Sequence, residues 1–277
     1  MPTSLITLNS TNYVGNSSYQ LNILPNNFTG MSLSLDSLSM YNSIFNITAK
    51  YGNNQFSIKW IDGTIYNFVI PDSYMEYTAL NVYIEQQCLL NNLYMTSTDG
   101  STNIFFFKIS SNLQLYKVEL DVYYVPTSAN ATILGWILPT GATWSLPSVN
   151  TCPQIQFNAG LNVIMGLSQV QYYPVNTTSG NQTILSDTIP KLLQVFNILV
   201  ACSLVYNPLN QNDSRIIGQI PILTSFGSLI TINKNIFSQF KIRDGIQNQI
   251  IIQLLDNNYN ILPINDTDFS ISLLISN

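Results

Sequence analysis

The chain has 277 residues, of which 46% are hydrophobic and only 8% charged, with no histidine, three cysteines and a net charge of −5. That hydrophobic share is too high for disorder, and the length supplies a core for one large domain or two small ones. Histidine is the commonest general acid/base and metal ligand near neutral pH, so its absence argues for a non-enzyme with no catalytic, metal or cofactor-binding residues and no cofactor. The nine Lys and Arg are scattered, which excludes extensive nucleic-acid contact.

Residues 1–20 hold Ser, Thr, Asn and Gly with few apolar anchors and are expected to form an arm that orders only against a neighbour. Met1-Pro2-Thr3-Ser4-Leu5 has neither a basic n-region nor an apolar h-region, so folding in a cytosol-like space is expected. From Met31 to Met40 the pattern alternates at Leu33 and Leu35, slips at Asp36-Ser37, and resumes at Leu38, which predicts a β-bulge. Phe56, Ile58 and Trp60 alternate, Ile65 to Ile70 return, and Asp62-Gly63 between them predicts a tight hairpin.

From Thr78 to Tyr94 the period changes. Leu80, Tyr83, Ile84, Cys88 and Asn91 share one helical face, with Thr78 as the expected N-cap. A second hairpin is expected from Asn103–Ile109 through a Ser110-Ser111-Asn112 turn to Tyr116, Val118, Leu120, Val122 and Tyr124.

Leu192 to Tyr206 is apolar on both faces and reads as a central strand ended by Pro208. One face would carry Phe196, Ile198, Val200, Cys202 and Leu204. The other would carry Val195, Leu199, Ala201 and Val205, covered by a neighbouring subunit or an extra domain. Strands over 215–223, 228–233, 249–256 and 269–276 follow. Many short strands with little helix mean an all-β antiparallel sandwich or barrel. The most apolar stretch, Val195 to Val205, is too short for a membrane span.

Cys88, Cys152 and Cys202 are too few and too widely spaced for a disulfide framework and are expected as buried thiols. Nine sequons (at Asn9, Asn16, Asn27, Asn46, Asn130, Asn176, Asn181, Asn212 and Asn265) fall in a chain so rich in Asn, Ser and Thr that chance explains most of them. Nothing pairs the three glutamates, Glu76, Glu85 and Glu119, for two-carboxylate catalysis. Asp266-Thr267-Asp268 could offer oxygens to a divalent cation, but an Asx turn before the last strand is the stronger reading. Tyr123-Tyr124 and Tyr172-Tyr173 would each place one ring on each strand face, so half of those rings are expected at a surface or interface. Sparse charge opposes self-contact little, so the chain is expected to pack against copies of itself.

Several short segments occur in a telling order: Tyr41-Asn42-Ser43-Ile44-Phe45-Asn46-Ile47, Tyr51-Gly52-Asn53-Asn54, Trp60-Ile61-Asp62-Gly63, Ile70-Pro71-Asp72-Ser73-Tyr74, Leu80-Asn81-Val82-Tyr83-Ile84, Tyr116-Lys117-Val118, Cys202 to Asn207 and Asp244-Gly245. From about Tyr41 onward, this order resembles the minor capsid (penton) proteins of polinton-like viruses and virophages. Ser73 stands where that pattern has a glycine. The resemblance implies a jelly-roll subunit with an additional outward domain. It also implies a homopentamer that closes the fivefold vertices of an icosahedral shell beside major capsid protein neighbours. Such a protein resides in the virion, is assembled in the host cytoplasm or a viral factory, and has no catalytic residues. A host-surface receptor or glycan is a further partner. The alternative function is a glycan- or receptor-binding β-sandwich spike module.

The expected fold is therefore an all-β antiparallel jelly-roll sandwich with an additional or inserted β-rich domain containing one short helix. The expected division is an arm over 1–20, a jelly-roll core over 21–50 and 129–277, and an insertion over 51–128. The alternative is two consecutive β-domains, 1–128 and 129–277.

Overall fold

The computed structural model describes residues 3–178, 180–207, 213–233 and 238–276, so Pro208 lies outside the described residues. The chain forms two compact units, the first from Met1–Phe45 with Gln194–Asn277 and the second from Asn46–Leu193.

Eight strands build the first unit: β1 (Thr3–Asn9), β2 (Ser18–Asn27), β3 (Ser32–Tyr41), β4 (Asn197–Cys202), β5 (Ile216–Pro221), β6 (Leu229–Asn233), β7 (Ile246–Leu255) and β8 (Phe269–Ser276). They form two antiparallel sheets, in the orders β1-β8-β3-β6 and β5-β4-β7-β2. The first and last strands lie side by side, and the path crosses repeatedly between sheets. That winding is a jelly roll. Short strands at Tyr13–Gly15 and Phe240–Lys241 extend β2 and the start of β3.

Alternation explains the core. Leu33, Leu38 and Met40 of β3, Phe269, Ile271, Leu273 and Ile275 of β8, and Ile250, Ile252 and Leu254 of β7 are all buried. In the pairing of β8 with β3, Ser272 opposes Ser37 and Leu273 opposes Leu35, which leaves Asp36 as the extra residue. The bulge read from the alternation slip is therefore present. A Cβ at Gly218 of β5 would lie 2.9 Å from Leu35 Cδ2, so a side chain there would push the tip of Leu35 aside.

Three expectations change in this unit. The arm expected over 1–20 is not loose from Thr3 onward, because β1 pairs along its whole length with β8. Between residues 4 and 16 only Leu8 is buried. An edge strand of this kind is held chiefly by main-chain hydrogen bonds, which leave no side-chain pattern. The central strand is shorter than Leu192–Tyr206, and Phe196 stands 56% exposed outside it. Ile198, Val200 and Cys202 are buried on one face. Leu199 and Ala201 are buried on the other by Leu255, Ile216 and Tyr259 of the same unit, rather than by a neighbour or an extra domain.

The second unit holds three small antiparallel sheets and three helices: α1 (Tyr77–Leu90), α2 (Ser128–Leu134) and α3 (Ala159–Met165). One sheet pairs Gln55–Lys59 with Ile65–Val69 and with Gln154–Phe157. Another pairs Lys117–Val122 with Phe107–Asn112 and with Gln182–Leu185. These pairings carry the unit to Leu193, well past the expected boundary near 128. Its core gathers Phe56, Ile58, Trp60, Phe106, Phe157 and Trp144 around the buried face of α1, formed by Leu80, Ile84 and Cys88.

The hairpin at Asp62-Gly63 is present, with Gly63 at φ 88°. Thr78, expected as the N-cap of α1, lies inside the helix, while Glu76 holds the cap position without a side-chain bond. The second hairpin turns after Asn112, because Ser110 and Ser111 are still paired. Asn112 Oδ1 accepts the Leu115 N–H at 3.0 Å, and Tyr116 adopts φ 52°. One helix was expected here. α2 and α3 are additional, capped by Thr127 and Asn158 at their starts and by left-handed Gly135 and Gly166 at their ends.

Candidate functional site

The residues singled out by sequence chemistry do not converge. Cys88, Cys152 and Cys202 are free and buried. Burial pushes the Cys88 and Cys202 thiols up to about 12. Each of two glutamates is tied to an Asn on its own helix or hairpin: Asn81 Nδ2 donates to Glu85 Oε1 and Asn112 Nδ2 to Glu119 Oε1, both at 2.7 Å. Asp266 Oδ1 accepts the Asp268 N–H at 2.9 Å, which is the expected Asx turn. Among the described residues, no group of three or more His, Cys, Asp or Glu could hold a metal ion. No described helix is long and apolar enough to cross a membrane.

The tyrosine pairs differ from expectation. Tyr123 and Tyr124 are both half-buried against the core of the second unit, and Tyr173 is buried with its hydroxyl donating to Gln169 O at 3.2 Å. Ser73 needs no glycine-like backbone. It exchanges main-chain bonds with Ile47 at 2.9 and 3.1 Å, and its φ is not positive.

What the fold does bring together is a pair of neutral surfaces. Strand alternation turns the residues between the core positions outward. On the sheet β1-β8-β3-β6 these line up across the strands in rows. One row is Asn9, Ser270, Ser39 and Thr231, and the next is Thr7, Ser272 and Ser37. Thr7 and Ser272 share a hydroxyl hydrogen bond at 3.3 Å. On the other sheet amides share the outward side with apolar residues: Asn22 lies opposite Gln249, and Gln253 lies opposite Ser18, with Gln20 Nε2 donating to Asn22 Oδ1 at 3.0 Å, while Leu199, Ala201, Ile216 and Leu255 cluster on the same side.

The low charge of the chain thus has a location. Long, two-sided sheet faces are covered by short hydroxyls and amides instead of Lys and Glu. Such a face presents little charge to desolvate, and its Ser and Thr side chains give up little entropy when covered, so it suits close packing against another protein surface. Sequence reasoning found the low charge but not these rows, because a row is made by register between strands far apart in the chain.

No family model matches the chain, and no curated protein matches it. Among solved structures, the chain is similar to the penton protein of mavirus, at 13% identity and a TM-score of 0.45, covering 99% of this chain and 98% of that one. It is also similar to a chain in the structure of the Sputnik virophage, at 12% identity and a TM-score of 0.40, covering 99% of this chain and 97% of that one.

Proposed function

We propose that this chain is a structural subunit of an icosahedral virus shell that assembles as a homopentamer at the fivefold vertices, beside major capsid protein neighbours. The observation that carries this reading is the neutral, hydroxyl-lined face of the sheet β1-β8-β3-β6 on an eight-stranded jelly roll. A jelly roll alone does not define a function, since capsid proteins, lectins and cupins share it. A cupin-type metal site has no histidine to draw on in this chain. The fivefold symmetry is taken from the order of short motifs that begins at Tyr41. In this reading the unit Asn46–Leu193 is the additional outward domain, and the protein resides in the virion after assembly in the host cytoplasm or a viral factory.

The mass of the purified protein in solution, with a negative-stain image of its symmetry, tests the proposal. Rings of five are expected without any added ligand. A strictly monomeric protein at high concentration that binds a glycan and is absent from purified particles would instead establish the spike-module reading.

A further inference from the structure

All four Lys and Arg of the jelly-roll unit, Arg215, Lys234, Lys241 and Arg243, fall in two connections, β4–β5 and β6–β7. Lys234 lies outside the described residues. The jelly-roll path brings these connections to one end of the sandwich. There the Arg243 N–H donates to Leu204 O at 2.8 Å and the Ile242 N–H to Met31 O at 3.0 Å. At the opposite end, Asn265 Nδ2 donates to Ser43 O at 2.7 Å, next to the point where the chain departs for the second unit. The connections at that end carry Asp256, Asp266 and Asp268 and no Lys or Arg. The sandwich is therefore polarised along its length.

The basic end has a shaped recess. Tyr206, Lys241, Ile242, Arg243 and Asp244 line an open hollow of about 450 Å³. The Arg243 guanidinium carbon sits 5.8 Å from the Tyr206 ring centroid, and its Nε donates to Val205 O at 3.2 Å, which fixes the plane of the fork. Tyr206 is 57% exposed. Lys241, whose side chain is 68% exposed, reaches Asp244 at 3.2 Å, and Arg215 holds Asp213 at 2.7 Å.

We propose that this end of the sandwich binds nucleic acid, with Arg243 and Lys241 on phosphodiester oxygens and Tyr206 as the surface on which a base stacks. Arg is suited to phosphate by its planar fork, and an aromatic beside cations is the usual platform for an unpaired base. An acidic peptide would need the cations but not the exposed ring. The local carboxylates Asp213 and Asp244 keep the site weak, in the non-specific range of about 10⁻⁴ M at physiological salt. Lys241 pairs with Ser32 at one end of the β1-β8-β3-β6 face, clear of the row through Ser270 and Thr231, so the proposal goes beyond the shell reading and does not depend on it.

The test is fluorescence anisotropy of a labelled oligothymidylate with the purified full chain across about 50–200 mM salt. Binding is expected, with a log–log salt slope of about −1.4 for two phosphate contacts. Lys241→Gln with Arg243→Gln should weaken binding at least tenfold and flatten the slope by about 1.4. The exposed single change Lys241→Gln, which leaves the fold intact, should weaken it several-fold. Asp244→Asn should tighten it, and Tyr206→Leu should weaken it without changing the slope. The proposal is overturned by an absence of salt-dependent binding at the lowest salt, by wild-type affinity in the double variant, or by polyglutamate displacing the oligonucleotide as well as unlabelled oligonucleotide does. Light scattering on the same samples reads the oligomeric state separately, so failure here and failure of the shell reading are distinguishable.

Discussion

Tyr19 and Phe269 stack with ring centroids 3.9 Å apart and planes 19° from parallel, joining β2 of one sheet to β8 of the other. Both are buried, at 0% and 4% exposure, and they form a through-core contact between the two layers. Phe269→Ala should cost about 3–5 kcal/mol, the usual range for emptying a buried aromatic site. Tyr19→Phe keeps the ring and loses only a 3.5 Å hydroxyl contact to Thr267 O, so it should stay within about 1 kcal/mol of the parent. Denaturant unfolding of the two variants checks the contrast. Equal stabilities would show that the stack does not hold the layers together.

Val200 sits at 0% exposure in the central strand β4, flanked by β5 and β7. Val200→Asp would place a carboxylate away from water at a cost of several kcal/mol after relaxation, comparable with the whole stability of a typical domain. Loss of soluble protein is expected on expression. Soluble, folded material would show that the strand is not central.

Ser270 and Thr231 are exposed members of one neutral row. Ser270→Asp with Thr231→Asp should change monomer stability by no more than about 1 kcal/mol, as surface changes usually do. Between copies the same charges would have to be desolvated, so ring formation should be lost. Light scattering beside a thermal melt separates the two effects, and wild-type assembly would exclude this face from the interface.

Burial pushes the Cys88 and Cys202 thiols from 9.0 up to about 12, and the Tyr77 hydroxyl from 10.0 up to about 12. These groups stay neutral in the folded chain at pH values where the unfolded chain releases their protons. Their contribution is complete below pH 9.0 and is lost as pH rises toward about 12. Thermal stability should fall steadily across that window. At neutral pH Cys88 and Cys202 should resist a thiol reagent until denaturant is added, and non-reducing mass spectrometry should find no disulfide. Rapid labelling of the native protein would show that these thiols are open to solvent.

Local signals translated well where side chains carried them. The slip at Asp36-Ser37 became a bulge because each leucine had to return to the core face. Leu80, Ile84 and Cys88 became the buried stripe of α1 for the same reason. The misses occur where the main chain does the holding. β1 is attached by pairing with β8, and its residues hardly alternate. The seven-residue α2 and α3 span only about two turns, too short to show a period, though their caps, Thr127 with Gly135 and Asn158 with Gly166, were readable. The limit of the second unit at Leu193 and the neutral rows depend on which distant strands meet, and spacing within one segment does not contain that.

Thr7 and Ser272 touch across adjacent strands while lying 265 residues apart in sequence. A ribosome adding about 5–20 residues per second needs roughly 10–50 s to pass from one to the other. During that interval β1 to β3 have emerged and their partners β6, β7 and β8 have not. The unit Asn46–Leu193 pairs only within itself, so it is complete much earlier. The nascent chain thus holds a folded intervening unit between two halves of an unfinished sandwich, with serine- and leucine-rich strands waiting unpaired. Those strands are the part of this protein most in need of a chaperone, and co-translational assembly between neighbouring nascent chains is the hazard such a path must avoid.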